Sequence, residues 1–180
     1  IAPAPEPFGP AYLGPEVAEA EIEAFIRERN LEARYKVTLH DRIEEKIAEL
    51  LVSDGVVARC AGRMEFGARA LGNRSILANL SDHRVVPLIN RMIKNRDFWM
   101  PFAPTILKER EADYLVNPKG LASPYMMLAF PTNPKRRDEI VAAVHPHDVA
   151  VGVLRHESAG VRAADVGVHR QHGVLGGDPA

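Results

Sequence analysis

The residues best placed to do chemistry form a block at positions 62–75, which reads GRMEFGARALGNRS. Glycines and arginines are interspersed along it, at Gly62, Arg63, Gly67, Arg69, Gly72 and Arg74. Glycine allows tight turns and a close approach of the backbone to a ligand, and such turns can aim N–H groups at an anion. The guanidinium fork matches phosphate oxygens two at a time. The block therefore predicts a phosphate or nucleotide site, although it lacks the P-loop pattern and the dinucleotide fingerprint.

Charge is distributed unevenly along a chain whose formal total is −1. Residues 1–57 carry 6 basic and 12 acidic side chains, whereas residues 58–110 carry 10 basic and 4 acidic ones. Lys94 and Arg96 extend this basic middle beyond the block, at the end of a predicted helix. A basic middle within a nearly neutral chain favours a local anionic ligand. The alternative is a basic face that neutralises the acidic helices before it.

Apolar periodicity predicts an α/β domain, because helical and strand patterns alternate along the chain. One helix is predicted to begin at an N-cap, Asp41, with Glu44 as its capping-box partner, and to end at the Asp54-Gly55 turn. The other predicted helices lie at 17–29, 84–95 and 109–115, and the predicted strands at 34–39, 56–61, 75–80, 105–107 and 124–130.

The same patterns predict which side chains are buried. In helix 84–95 the inward residues are expected to be Val85, Leu88, Ile89 and Met92. Cys60 is interpreted as a small buried hydrophobe rather than a nucleophile. The aromatic residues of the next segment are interpreted as core rather than as a base-stacking platform: Phe98, Trp99 and Phe102.

The polar residues Glu65, His145 and His147 are not assigned to catalysis or metal binding. Glu65 is expected to orient an arginine rather than act as a base or metal ligand. His145 and His147 have a spacing that can bind metal, but no third ligand is evident, and no metal site is predicted.

Composition divides the chain into three parts. Residues 1–15 are rich in proline and glycine and are interpreted as a linker or arm, and residues 149–180 as an atypical tail without a clean period. The tail is a flexible extension or the product of a shifted reading frame. The single cysteine, Cys60, excludes a disulfide framework and is typical of the cytoplasm. No apolar run approaches the roughly 20 residues of a membrane span, so no membrane partner is expected.

Longer stretches carry a family resemblance. GRMEFGARALGNRSILAN, NRMIKNRDFWMPFAPTIL and SPYMMLAF resemble the O-carbamoyltransferases of nodulation-factor and antibiotic biosynthesis, and FGPAYLGPE resembles the segment that enters their second domain. That second domain is similar to YrdC, with a twisted mixed sheet and flanking helices. The resemblance implies that residues 16–148 are part of such a domain, incomplete at its C-terminus. It also implies that residues 1–15 come from a missing N-terminal domain of the ASKHA type.

The resemblance implies a reaction and a set of site residues. In the family the second domain converts carbamoyl phosphate and ATP to carbamoyladenylate, and the first domain passes the carbamoyl group to an acceptor hydroxyl. Arg69 and Lys94 fall where the family binds its anionic substrates and are the expected catalytic residues. Mg²⁺ is expected on the ATP phosphates, held mostly by water. The remaining candidates are assigned to ATP and phosphate binding: Arg63, Asn73, Arg74, Ser75 and Arg96.

Two departures from the family pattern affect these expectations. Met100 stands where many members have an arginine, and no Asn-Thr-Ser-Phe-Asn segment follows residues 145–148. The nucleotide site is therefore expected to be incomplete and the isolated chain to be inactive in carbamoyl transfer.

Three alternatives remain open. The first is a tRNA-threonylcarbamoylation enzyme, which would depend on L-threonine. The second is a non-catalytic module that binds nucleic acid, which would show a steep salt dependence. The third is an inactive or frameshifted fragment.

Overall fold

The computed structural model describes residues 11–151, 154–156 and 165–169. These residues form a mixture of short helices and strands, which confirms the predicted α/β class. The α-helices are α1 (Glu19–Glu28), α2 (Ile43–Val52), α3 (Val85–Ile89) and α4 (Glu111–Tyr114). A π-helix follows α3 at Asn90–Lys94, and 3₁₀ turns lie at Leu31–Ala33, Lys108–Arg110 and Pro134–Ala143.

The described strands pair two by two in a mixed arrangement. They are β1 (Lys36–His40), β2 (Val57–Cys60), β3 (Arg74–Leu77), β4 (Thr105–Leu107), β5 (Ala129–Pro131), β6 (Val149–Val151), β7 (Leu154–His156) and β8 (Asp165–His169). Antiparallel pairs join β1 to β8, β2 to β3 and β5 to β6, whereas β4 and β7 run parallel. The described strands thus form four two-stranded sheets, which are consistent with a YrdC-like domain. Within the described part, no helix has the length and hydropathy that a membrane crossing needs.

Helix starts differ from the sequence prediction. Asp41 is not the N-cap of α2: the helix begins at Ile43, and its N-cap, Arg42, makes no side-chain capping bond. Only one half of a capping box is present at α1, where the Glu21 carboxylate accepts a 2.8 Å hydrogen bond from the N–H of Ala18, whose own side chain cannot cap. Glu44 still lies in the first turn of α2, where a negative charge is favourable next to the helix dipole.

The predicted helix 84–95 is real, but its inward face was partly wrong. The buried residues of this segment are Val85, Val86, Ile89 and Asn90. Leu88 and Met92 lie off that stripe and are 45% and 55% exposed. The π-helical turn is the physical reason for Met92, because a wider turn shifts the later residues away from a 3.6-residue period.

Three further burial predictions are corrected by the structure. Cys60 is exposed, because side chains alternate across β2 and position 60 falls on its open face. Phe98 and Trp99 are 72% and 49% exposed and are not core residues. Only Phe102 of that trio packs against the core.

The strand predicted at 124–130 is restricted to β5, because residues before it form a turn with Met126 at φ 56°.

Two apolar clusters support the domain. The first cluster lies where α3 packs against other parts of the chain. It comprises Val85, Val86, Ile89 and Ala142, with Val56, Ile76, Ala78 and Phe102 packed against it. The other comprises Ile106, Leu115, Phe130 and Ala150, with Tyr114 against it. The first cluster matters for the site, since β3 reaches it through Ile76 and the π-helix follows directly from Ile89.

Ile89→Val tests the packing of the first cluster. Ile89 is almost fully buried, so removing one methylene is expected to lower the free energy of unfolding by about 0.5–1.5 kcal/mol. Urea denaturation monitored by circular dichroism measures the change. Ile93→Val is the matched control, because Ile93 is exposed in the neighbouring turn. Equal effects of the two substitutions would contradict the packing described here.

Candidate anion-binding site

The exposed tip of the glycine–arginine block is residues 67–70, which precede β3. Two glycines near the ends of the tip have positive φ angles: Gly67, its first residue, at 125°, and Gly72, two residues after its end, at 114°. Residues with side chains disfavour this backbone conformation. Within the described residues, no hydrogen bond involves a backbone N–H of the tip. The Arg69 guanidinium likewise makes no hydrogen bond or ion pair with any described residue. The tip therefore presents donors and one cation to solvent.

A buried carboxylate holds the chain just after the tip. Glu65 is 8% exposed, and its Oε1 accepts hydrogen bonds from the N–H groups of Leu71 (2.8 Å), Asn73 (2.7 Å) and Arg74 (3.1 Å). Burial alone would raise the pKa of Glu65, but these N–H donors outweigh it and hold the pKa below its usual value. The expectation that Glu65 orients an arginine side chain stays a prediction: its carboxylate accepts from backbone N–H groups, that of Arg74 among them.

The contacts of Glu65 reduce the number of free N–H groups in the predicted anion-binding nest. The donors at 71, 73 and 74 are satisfied by Glu65, and the N–H of Gly72 donates to Ser75 Oγ at 3.1 Å. An external anion would therefore meet only the N–H groups of the tip and the Arg69 side chain. Such donors suit phosphate oxygens, and they are not metal ligands.

The block is also held from the N-terminal side by residues 11–15, which lie in the predicted linker. The N–H of Phe66 donates to Ala11 O at 2.6 Å, and the N–H of Met64 donates to Pro15 O at 2.9 Å. Tyr12 donates its hydroxyl to Leu71 O at 2.8 Å. The boundary drawn between residues 15 and 16 stays a prediction, but residues 11–15 contribute directly to the frame of the site.

Two of the predicted phosphate ligands, Arg63 and Arg74, use their guanidinium groups to bind backbone carbonyls of the protein itself. Arg63 donates to Gly14 O and Leu13 O, both at 3.1 Å. Arg74 donates to Ala61 O (2.8 Å), Asn73 O (3.0 Å) and Gly62 O (3.1 Å). Both side chains therefore hold the backbone that carries the tip, and ligand binding by either stays a prediction.

The other two candidates in the block, Asn73 and Ser75, also make hydrogen bonds within the protein. Asn73 donates its side-chain amide to Arg63 O at 2.8 Å, and Ser75 Oγ accepts from Gly72 as described above. These bonds tie the two sides of the block together. A ribose or phosphate contact by Asn73 or Ser75 stays a prediction.

Lys94 and Arg96 lie at the end of the π-helix and have different surroundings. Lys94 is exposed, with no hydrogen bond or ion pair among the described residues. Arg96 Nε donates to Asn90 Oδ1 at 2.6 Å, and its guanidinium lies 4.9 Å from the ring centre of Phe102. Arg96 is therefore engaged internally, whereas the side chains of Arg91 and Lys94 on the π-helix have no hydrogen bond or ion pair with any described residue.

Sequence analysis missed Asn90, which organises this turn. The side chain is fully buried and also donates to Met100 O at 2.8 Å. An asparagine on the buried face of a helix was the available signal, because a buried amide needs partners. By fixing the 95–100 turn, Asn90 holds the backbone on either side of the exposed Phe98 and Trp99.

The structure connects the two expected catalytic residues only through packing. No hydrogen bond, ion pair or ring contact among the described residues links the tip to the π-helix. The connection runs through the first apolar cluster, in which Ile76 and Ile89 take part. Arg69 and Lys94 are therefore two exposed cations, and the side chain of each has no partner among the described residues.

The histidine pair forms a ring stack rather than a ligand set. The rings of His145 and His147 are 5.0 Å apart and nearly parallel, and Trp99 meets His145 edge-on at 6.4 Å. No group of three or more histidine, cysteine, aspartate or glutamate side chains in the described ranges could hold a metal ion. Mg²⁺ bound to ATP, held mainly by water and phosphate, needs no such group.

Comparison with known proteins decides the family. Residues 48–156 match the family model described as carbamoyltransferase C-terminus, which is more than half of the chain. The chain belongs to this carbamoyltransferase family. The resemblance found in the sequence is thereby confirmed, and the match includes the whole block, the tip and the π-helix.

Individual relatives agree with this assignment. An uncharacterised protein of Synechocystis is 36% identical over 124 residues, which are 69% of this chain and 20% of that protein. Nodulation protein NolNO of Sinorhizobium fredii is 34% identical over 58% of this chain and 16% of its own length. Nodulation protein U of Rhizobium tropici is 38% identical over 56% of this chain and 17% of its own. The carbamoyltransferase domain described here thus spans about a fifth of the length of these curated relatives.

Proposed function

We propose that this chain is the adenylate-forming part of an ATP-dependent O-carbamoyltransferase. The observation that carries the proposal is the 67–70 tip, whose N–H groups and Arg69 guanidinium have no partner among the described residues. The tip is held in place by Glu65 and by residues 11–15, so its donors would need little rearrangement to meet a phosphate. Membership of the carbamoyltransferase family supports the choice of carbamoyl chemistry over other phosphate-binding functions.

The proposed reaction activates a carbamoyl group. Carbamoyl phosphate and water yield carbamate and inorganic phosphate, and an oxygen of carbamate then attacks the α-phosphorus of ATP. The bond from that phosphorus to the bridging oxygen breaks, so pyrophosphate leaves and carbamoyladenylate forms. Negative charge builds on the equatorial oxygens during the transfer. Arg69 and the tip N–H groups would stabilise this charge, and Lys94 would neutralise the departing phosphates.

The acceptor step is proposed to need polypeptide beyond this chain. The family resemblance assigns acceptor binding to an N-terminal ASKHA-type domain, and the relatives are several times longer than the matched region. We therefore expect the isolated chain to bind ATP and carbamoyl phosphate weakly at most and to transfer no carbamoyl group. Dependence on ATP and the single cysteine support a cytoplasmic location.

The distribution of free cations argues against the nucleic-acid alternative. Arg63, Arg74 and Arg96 are engaged in bonds within the protein. The basic middle therefore offers a few separated cations, whereas affinity for nucleic acid requires a row of phosphate contacts. RNA binding that weakens steeply with salt would reverse this conclusion.

Pyrophosphate exchange tests the proposed reaction. The product of the whole reading frame is incubated with ATP and labelled pyrophosphate, with and without carbamoyl phosphate. The proposal predicts exchange into ATP that requires carbamoyl phosphate. Exchange that requires L-threonine and bicarbonate would indicate the threonylcarbamoylation alternative. A folded protein without exchange under either condition would contradict adenylate formation.

Lys94→Ala tests the second cation of the site. We expect the dissociation constant for ATP to rise by about 3- to 10-fold, because one charge-assisted contact is lost. Isothermal titration calorimetry of this chain at a fixed ionic strength measures the change. Arg91→Ala is the matched control, since it removes the same charge from the same π-helix and is exposed. An equal loss in both variants would indicate general electrostatics rather than a contact by Lys94.

A further inference from the structure

Two consecutive residues hold both ends of the tip. Ala11 accepts the N–H of Phe66 at 2.6 Å, immediately before the tip, and Tyr12 donates to Leu71 O at 2.8 Å, immediately after it. The two anchor points are five positions apart in the sequence, yet one dipeptide contacts both. The tip is therefore closed into a short loop whose base is formed by residues 11 and 12.

Leu71 is restrained from two directions. Its N–H donates to Glu65 and its carbonyl accepts from Tyr12, while its side chain is buried. Burial and the negative charge of Glu65 raise the pKa of Tyr12, against the effect of Arg59. The hydroxyl of an ordinary tyrosine is already protonated at neutral pH, and these surroundings extend its capacity to donate to higher pH. Leu71 is two residues after Arg69. Any movement at Leu71 is thus passed on to the Arg69 backbone.

The register of residues 11–15 against the block is also constrained. The N–H of Gly14 donates to Met64 O at 2.9 Å, and a Cβ at position 14 would lie 2.9 Å from that oxygen and from Met64 Cβ. Only glycine fits at that approach. Arg63 adds two bonds to the carbonyls of Leu13 and Gly14. Residues 11–15 therefore cannot slide along the block without breaking several bonds at once.

We propose that Tyr12 is a positioning residue of the anion site: its hydroxyl fixes the C-terminal end of the tip, so that Arg69 and the tip N–H groups are held ready for phosphate. The proposal rests on the proposed function, because it assumes that the tip binds ATP.

Tyr12→Phe removes the hydroxyl and keeps the ring. Loss of this part-buried hydrogen bond is expected to speed amide hydrogen exchange in residues 66–71 by about 2- to 10-fold and to weaken ATP binding by a similar factor. Tyr114→Phe is the matched control, because its hydroxyl donates to the exposed Glu139, which belongs neither to the tip nor to residues 11–15. The control is expected to leave both measurements at wild-type values. Unchanged exchange at β4 in both variants verifies that the fold is intact.

A double-mutant cycle separates positioning from a general loss of stability. If Tyr12 acts through the tip, Tyr12→Phe will weaken ATP binding clearly less in an Arg69→Ala background, where only the tip N–H groups remain to be positioned, than in the wild type. Additive losses, or tip exchange that does not respond to Tyr12→Phe, would overturn the proposal. A wild-type chain that binds no ATP would instead contradict the proposed function, while the exchange data would still decide whether Tyr12 holds the tip.

Discussion

Replacing Arg69 with alanine is expected to lower carbamoyl-phosphate-dependent pyrophosphate exchange by about 30- to 1,000-fold, equivalent to ~2–4 kcal/mol of transition-state stabilisation. The reason is geometric, since Arg69 is the side-chain cation of a tip whose backbone is already fixed on both sides. A preorganised cation stabilises developing charge without having to move. Initial exchange rates of purified wild-type and variant proteins at saturating ATP measure the effect.

Two further variants give this result a specific meaning. Arg69→Lys keeps the charge and removes the planar fork, so it should recover only part of the lost rate. Arg27→Ala is the matched surface control, because Arg27 is an exposed arginine on α1 whose side chain, among the described residues, bonds only to the backbone carbonyl of Glu23 in its own helix. A wild-type rate in Arg69→Ala, or equal losses in Arg69→Ala and Arg27→Ala, would remove the tip from the reaction.

The second large effect is expected for Glu65→Gln. One buried carboxylate oxygen accepts three backbone N–H groups, and a neutral amide oxygen accepts them more weakly while adding donors that lack partners. We expect the free energy of unfolding to fall by about 2–4 kcal/mol. Chemical denaturation at neutral pH measures this change. Glu49→Gln is the control, since Glu49 is an exposed carboxylate paired with Lys46, and it should lose little. A loss no greater than that of the control would contradict the role of Glu65 in holding the backbone of residues 71–74.

The same carboxylate predicts a pH dependence with a defined sign. The pKa of Glu65 in the folded protein lies below its ordinary value of about 4.3. Ionised Glu65 therefore stabilises the fold at all pH values above that ordinary value, and this contribution is lost as the pH falls through the lowered pKa. In Glu65→Gln the decline of stability on the acidic side should be shallower than in the wild type. Parallel declines in the two proteins would indicate that other carboxylates dominate.

The sequence was informative where local pattern and tertiary packing agree. The apolar residues that helical spacing places on one stripe of α2, Ile43, Ile47, Leu50 and Leu51, are buried or half-buried. The helix ends near the predicted Asp54-Gly55 turn, where Asp54 adopts φ 61°. The strands around the glycine–arginine block pair as β2 and β3. These features follow from short-range periodicity and from turn residues, which a single sequence displays directly.

Predictions failed where a distant partner decides the outcome. The exposure of Cys60 depends on which face of β2 is covered, and the exposure of Trp99 depends on the buried Asn90, which holds the turn around it. The spacing of glycines and arginines located the tip, but it could not show that Glu65 occupies the neighbouring N–H groups. Nor could it show that Tyr12, more than fifty residues away along the chain, closes the loop.

Titration of this chain with ATP, followed by amide NMR, tests whether the tip binds the nucleotide. We expect the largest chemical-shift changes at residues 67–70, and much smaller ones at the same ATP concentrations in Arg69→Ala. The three N–H groups bonded to Glu65 should shift less, because their acceptor is internal. Saturable ATP binding that leaves the amides of the tip unchanged would contradict the proposed site.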